Sequence, residues 1–150
     1  MSLSNISIIK KSSLVIMILS LLGAAICVKG GISGLKTLHL PVYGIETAVL
    51  VVFIRRLIYA AVLVVDAFIF FMISRNARPF TRGNVWAVRG IAGLFLAAAV
   101  LPIIINVKSV DGFFAVWEGI GPAFIAVLCL FFAEIMRYGR LLQNESDEML

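Results

Sequence analysis

The chain has 150 residues, 62% of them hydrophobic and 14% charged, with a formal net charge of +5. Soluble domains carry roughly 25% charged residues, and one small globule cannot hide this much apolar surface, so a soluble fold is excluded and lipid is the expected solvent. The cations flank apolar segments instead of clustering with stackable aromatics on a polar face, which points to membrane topology and not to direct nucleic acid binding.

The first candidate span follows Lys10 and Lys11, runs without a charge over residues 12–28, and is closed by Lys29. Its length reaches the lower limit for crossing a bilayer, and polar flanks can extend it. Gly23, Ala24 and Ala25 near its end also suit a signal peptide, but with Met1 present an uncleaved helix is expected. Ile26 stands before Cys27, where lipid attachment would need a small residue.

Arg55 and Arg56 interrupt the next apolar stretch, from Thr47 to Ile73. Residues 57–73 alone make about 25 Å of helix. The second span is therefore expected there, with both arginines snorkelling to the outer headgroups and Thr47 to Phe53 outside or along the surface. The third covers 85–105, with Asn84 as N-cap and Pro102 towards its outer end. The fourth covers 113–135, kinked near Gly119, Gly121 and Pro122. The expected fold is all-α: a single-domain integral membrane four-helix bundle over 1–150 with a short acidic tail at 143–150.

Short loops rich in Lys and Arg stay inside. With the N-terminus cytoplasmic, the inner side holds Lys10, Lys11, Arg75, Arg78, Arg82, Arg89, Arg137 and Arg140, against Lys29, Lys36, Lys108, Arg55 and Arg56 outside. Both termini are thus expected in the cytoplasm. Trp86 and Tyr138 would then lie in the inner aromatic belt, and Tyr43, Phe113 and Trp117 in the outer one.

Close helix pairing in lipid needs small residues. Ala115, Gly119 and Ala123 recur at four-residue spacing, as do Gly93 and Ala97, so these two faces are expected to meet. Cys27 and Cys129 fall at different membrane depths, which argues against a disulfide, and both read as buried structural thiols.

Asp66 lies near mid-membrane, where a carboxylate must be protonated, paired or facing a wet cavity. It is a candidate proton or cation site, or the acceptor in an interhelical hydrogen bond or ion pair. Glu118 is shallower and within reach of water, Arg55 or Arg56, with Asn106 able to join that cluster. Glu134 is expected to fasten the arginine-rich inner loop to the bundle through that loop's arginines and Arg89. The lone His39 cannot supply a two-ligand haem or a His-rich metal site. No nucleophile elbow, phosphate-binding glycine loop or catalytic carboxylate pair is present, so no enzyme activity, cofactor or metal is expected.

Pro79, Phe80 and Thr81, followed by Asn84, Val88, Arg89 and Ile91, resemble the loop and third helix of the YoaS-like family of bacterial membrane proteins of unknown function. Glu134, Arg137, Tyr138, Gly139, Leu142, Gln143, Glu145 and Asp147 resemble that family's close. These stretches make up about a quarter of the chain; elsewhere only hydropathy and spacing match. The resemblance implies four helices with both ends inside a bacterial cytoplasmic membrane, and a small helix-turn-helix regulator as membrane-docked partner.

Three functions follow as expectations. The first is a non-enzymatic membrane accessory or regulatory protein whose inner face, with its arginines and the tail NESDEML, binds a cytoplasmic protein partner or another membrane subunit. The same arginines could equally set topology and touch anionic lipid. The second is a small proton-coupled transporter using Asp66 in a homo-oligomer. The third is an immunity protein against a membrane-active peptide or toxin.

Overall fold

The computed structural model describes residues 3–35, 45–76, 78–106 and 112–148. Lys36, His39, Tyr43 and Lys108 lie outside them, as do the side chains of Asn106, Phe113 and Ala115. Four helices account for nearly all of the described chain: α1 (Leu3–Leu35), α2 (Ile45–Asn76), α3 (Arg82–Asn106) and α4 (Gly112–Glu148). Each contains a stretch long and apolar enough to cross a membrane, with window hydropathies of 2.1 to 2.4. Large apolar side chains cover the exterior, among them Ile26, Ile104, Phe124 and Phe131, so the surface suits hydrocarbon and not water.

Thr47 to Phe53 are helical. They are the opening turns of α2, which continues unbroken through Arg55 and Arg56. The reason is local: residues 46–61 hold no glycine or proline, so nothing interrupts the backbone hydrogen-bond ladder where the charges enter.

α1 packs antiparallel along α2, α3 packs antiparallel along α4, and a lesser contact between α2 and α3 joins the two hairpins. Among the described residues, the backbone of α4 does not closely approach α1 or α2, so the bundle is open on that side. The stripes that pack repeat at three and four residues, the spacing that keeps one seam facing a partner. On α4 the stripe is Gly119, Pro122, Ala126, Cys129, Ala133 and Met136. On α1 it is made of small residues, with Ser13, Ser20, Ala24 and Gly31 all buried. Val62, Ile69, Ile73 and Ile91 form the core cluster between α2 and α3, with Ile9 and Cys129 packed against it. The described start of α1 and the described end of α4 therefore share one end of the bundle with the α2–α3 connection.

The face of α3 that meets α4 differs from the expected one. Gly93 and Ala97 are exposed, and a Cβ on Gly93 would meet nothing within 4 Å. Ala92, Ala98 and Ala99 are buried instead. Ala97 and Ala99 stand about 200° apart around the helix, so these are opposite faces. On α4 Gly119 does lie in the seam: a Cβ there would come 2.7 Å from the carbonyl oxygen of Ala99. Ala123 is half-buried beside it.

Candidate functional site

The polar side chains within the helices gather at three levels. At the end away from the α2–α3 connection, Arg55 reaches from α2 across the open side to α4. Its Nη1 lies 3.3 Å from Glu118 Oε2, and its Nη2 donates to the Glu118 carbonyl oxygen at 3.1 Å. That carbonyl needs a donor because residue 122, whose amide would ordinarily serve it, is a proline. Arg55 is only 17% exposed, against 52% for Glu118, so it does not snorkel freely to a headgroup. Its Nε is buried without a hydrogen-bond partner. Arg56 is exposed, and its guanidinium passes beside Gly30, where a Cβ would collide with it.

At the middle level, Ser20 Oγ of α1 donates to Asp66 Oδ2 of α2 at 2.6 Å. Asp66 makes the expected interhelical hydrogen bond with a neutral donor, and Arg55 is held by Glu118 instead of by Asp66. Asp66 also lines a cavity of about 580 Å³ walled by α2, α3, α4 and the α2–α3 connection. A second cavity of about 510 Å³, lined by Cys27, Tyr59 and Pro122 among others, shares Val62, Leu63 and Phe95 with the first. Tyr59 and Phe95 have ring centroids 6.0 Å apart across the α2–α3 contact. Cys27 and Cys129 are both free and line different cavities.

The third level is the end carrying the α2–α3 connection. Arg89 Nη2 donates to Glu134 Oε1 at 2.6 Å, and Arg137 Nη1 lies 3.3 Å from Glu134 Oε2. The Arg89 guanidinium also stands 5.5 Å from the Trp86 ring centroid, within cation–π range. Glu134 is thus clamped by α3 and by its own helix. The connection itself is fastened by Phe80, whose ring fills the space above Gly139; a Cβ there would lie 3.2 Å from three ring carbons.

The start of α3 is a built cap. Thr81 is the N-cap residue: its Oγ1 accepts the amide of Asn84 at 3.2 Å, and its carbonyl oxygen accepts the amide of Val85 at 3.1 Å. Asn84, expected to cap, is instead buried in the first turn with its side-chain amide donating to the Pro79 carbonyl at 2.9 Å. Thr81 was readable as a cap from its residue type alone, since threonine and asparagine both cap helices and Thr81 immediately precedes the first helical residue.

Around this frame Arg75, Arg78, Arg82 and Arg137 are exposed, Arg140 is half-buried, and Trp86 and Tyr138 are 60% and 68% exposed. Among the described residues, no group of three or more His, Cys, Asp or Glu stands close enough to hold a metal ion. Comparison of the chain with protein-family profiles, with curated proteins and with solved structures finds no match.

Proposed function

We propose that this multi-pass protein is a non-enzymatic accessory or regulatory protein of a bacterial cytoplasmic membrane, docking a cytoplasmic protein partner on its inner end. A small helix-turn-helix regulator is the partner that the resemblance to the YoaS-like family implies. The inner end is the one carrying the α2–α3 connection, the described start of α1 and the described end of α4. The observation supporting this reading is that the connection is built and not merely charged. Thr81 caps α3, Asn84 holds Pro79, Phe80 sits on Gly139, and Arg89 and Arg137 clamp Glu134. Setting topology needs only positive charge in a short loop. A fixed frame displaying Arg75, Arg82, Trp86 and Tyr138 suits recognition of a folded acidic surface, since pre-ordered side chains lose less entropy on binding.

The test is quantitative co-purification from native membranes in mild detergent. One cytoplasmic protein should accompany the wild-type chain, and the double reversal Arg75→Glu/Arg82→Glu should reduce it at least about tenfold while the membrane protein itself stays at its wild-type level. Recovery unaffected by the reversal, or no protein enriched over a control membrane protein, would sink the reading.

The two cavities that meet at Val62, Leu63 and Phe95 beside Asp66 favour a second reading, a small proton-coupled transporter. Proton flux into liposomes that is lost in Asp66→Asn would support it, and flux indifferent to that change would dispose of it.

A further inference from the structure

We propose that the cavity beside Asp66 is a binding site for an amphiphilic organic cation, an apolar molecule carrying one amine or quaternary ammonium group. Its volume of about 580 Å³ falls in the range of small-molecule sites. Its wall is almost wholly apolar, with Phe70, Phe80, Phe95 and Phe132 contributed by α2, the connection, α3 and α4 in turn. Among the described residues of the wall, Asp66 is the one ionisable oxygen acid and no lysine or arginine is present.

The chemistry of the occupant follows from what Asp66 lacks. Ser20 gives one carboxylate oxygen a hydrogen bond but no positive charge. No salt bridge to Asp66 exists among the described residues; Arg55 pairs with Glu118, and Arg89 and Arg137 pair with Glu134. An ionised carboxylate in so apolar a setting is costly until a proton or a cation neutralises it. A ligand ammonium group would do so while gaining an ion pair, and the phenyl groups suit both a cation and its alkyl or aryl body. An anion would be repelled, and a plain hydrocarbon would leave a proton as the carboxylate's only neutralising partner. The site stands on the cavity and its carboxylate, independently of partner docking and of transport.

Cys129 lines the same cavity and provides the readout. In the full-length chain carrying Cys27→Ser, reconstituted in lipid nanodiscs, the rate of Cys129 labelling by N-ethylmaleimide is measured with increasing dodecylamine or dodecanol. Dodecylamine should slow labelling at least about fivefold, and dodecanol should need at least about tenfold more ligand for the same protection. Asp66→Asn, with its own unprotected rate as reference, should erase the difference between amine and alcohol. Equal protection by the two in the Asp66 protein would overturn the proposal in favour of a simple alkyl-chain site. Absence of protection by either would overturn it outright, as would an amine preference that persists in Asp66→Asn. Because binding is read without a gradient, a bound cation with no proton flux leaves this site standing and removes only the transport reading.

Discussion

The two glycines on the third and fourth helices show how little sequence spacing says about which face of a membrane helix is used. Both Gly93 and Gly119 belong to small-residue repeats, yet only Gly119 lies against a neighbouring backbone, with the Ala99 carbonyl where a Cβ would go. We expect Gly119→Ala to force α3 and α4 apart locally and to cost about 1–3 kcal/mol, the usual penalty for overpacking a close contact. Gly93→Ala meets open space and should leave stability unchanged or slightly improved by its better helix propensity. Thermal denaturation of the two variants in the same detergent separates these outcomes; an equal loss in both would mean that the seam does not pass through Gly119. Gly139 is a gentler case, since its neighbour is a side chain: Gly139→Val should displace the Phe80 ring and loosen the connection without disturbing the α3–α4 seam. Limited proteolysis within 77–81 should then quicken, and an unchanged cleavage rate would show that Phe80 does not hold the connection.

At the level of elements, Arg55 and Glu118 form a polar bridge from the first hairpin to α4, where the backbone of α4 stands away from α2 among the described residues. Pro122 makes that bridge necessary. It removes the amide that would bond the Glu118 carbonyl, and Arg55 supplies the missing donor. The two residues should therefore be coupled. In the wild-type background, Arg55→Ala leaves the carbonyl without a partner, whereas in Pro122→Ala the helix amide returns and the same loss costs less. A double-mutant cycle on thermal stability should give a coupling near the average of about 0.6 kcal/mol for hydrogen bonds inside membranes and no greater than their maximum of about 1.7 kcal/mol. Additive effects would show that the carbonyl contact contributes nothing. The sequence placed Glu118 within reach of water, Arg55 or Arg56, and the structure selects Arg55. The role of Pro122 was legible only as a kink, since the four-residue offset to Glu118 matters once a donor on another helix is known to be near. The Ser20–Asp66 bond was harder still: serines are common in apolar runs, and nothing along the chain sets the α1–α2 register that brings these two together.

For the molecule as a whole, the number of helices was readable because hydropathy is a one-dimensional property, while their arrangement was not. Four apolar runs appear in the sequence as they do in the fold, but an open pair of hairpins and a closed bundle can have the same hydropathy profile. What spacing could not supply was the direction each helix turns its small residues, which depends on neighbours. The structure does constrain orientation as a unit: the start of α1, the end of α4 and the α2–α3 connection lie at one end, so a single experiment places all three. That end carries Lys10, Lys11, Arg75, Arg78, Arg82, Arg89, Arg137 and Arg140, and the charge rule sends such an end to the cytoplasm. A lone cysteine introduced as Leu142→Cys in a Cys27→Ser/Cys129→Ser chain should therefore resist a membrane-impermeant maleimide in intact cells and label once the membrane is permeabilised. Leu142 is well exposed near the end of α4, so a failure to label in intact cells reports the membrane barrier and not burial. Labelling without permeabilisation would turn the molecule over, place Arg89, Glu134 and the capped connection outside the cell, and remove the proposed cytoplasmic partner along with them.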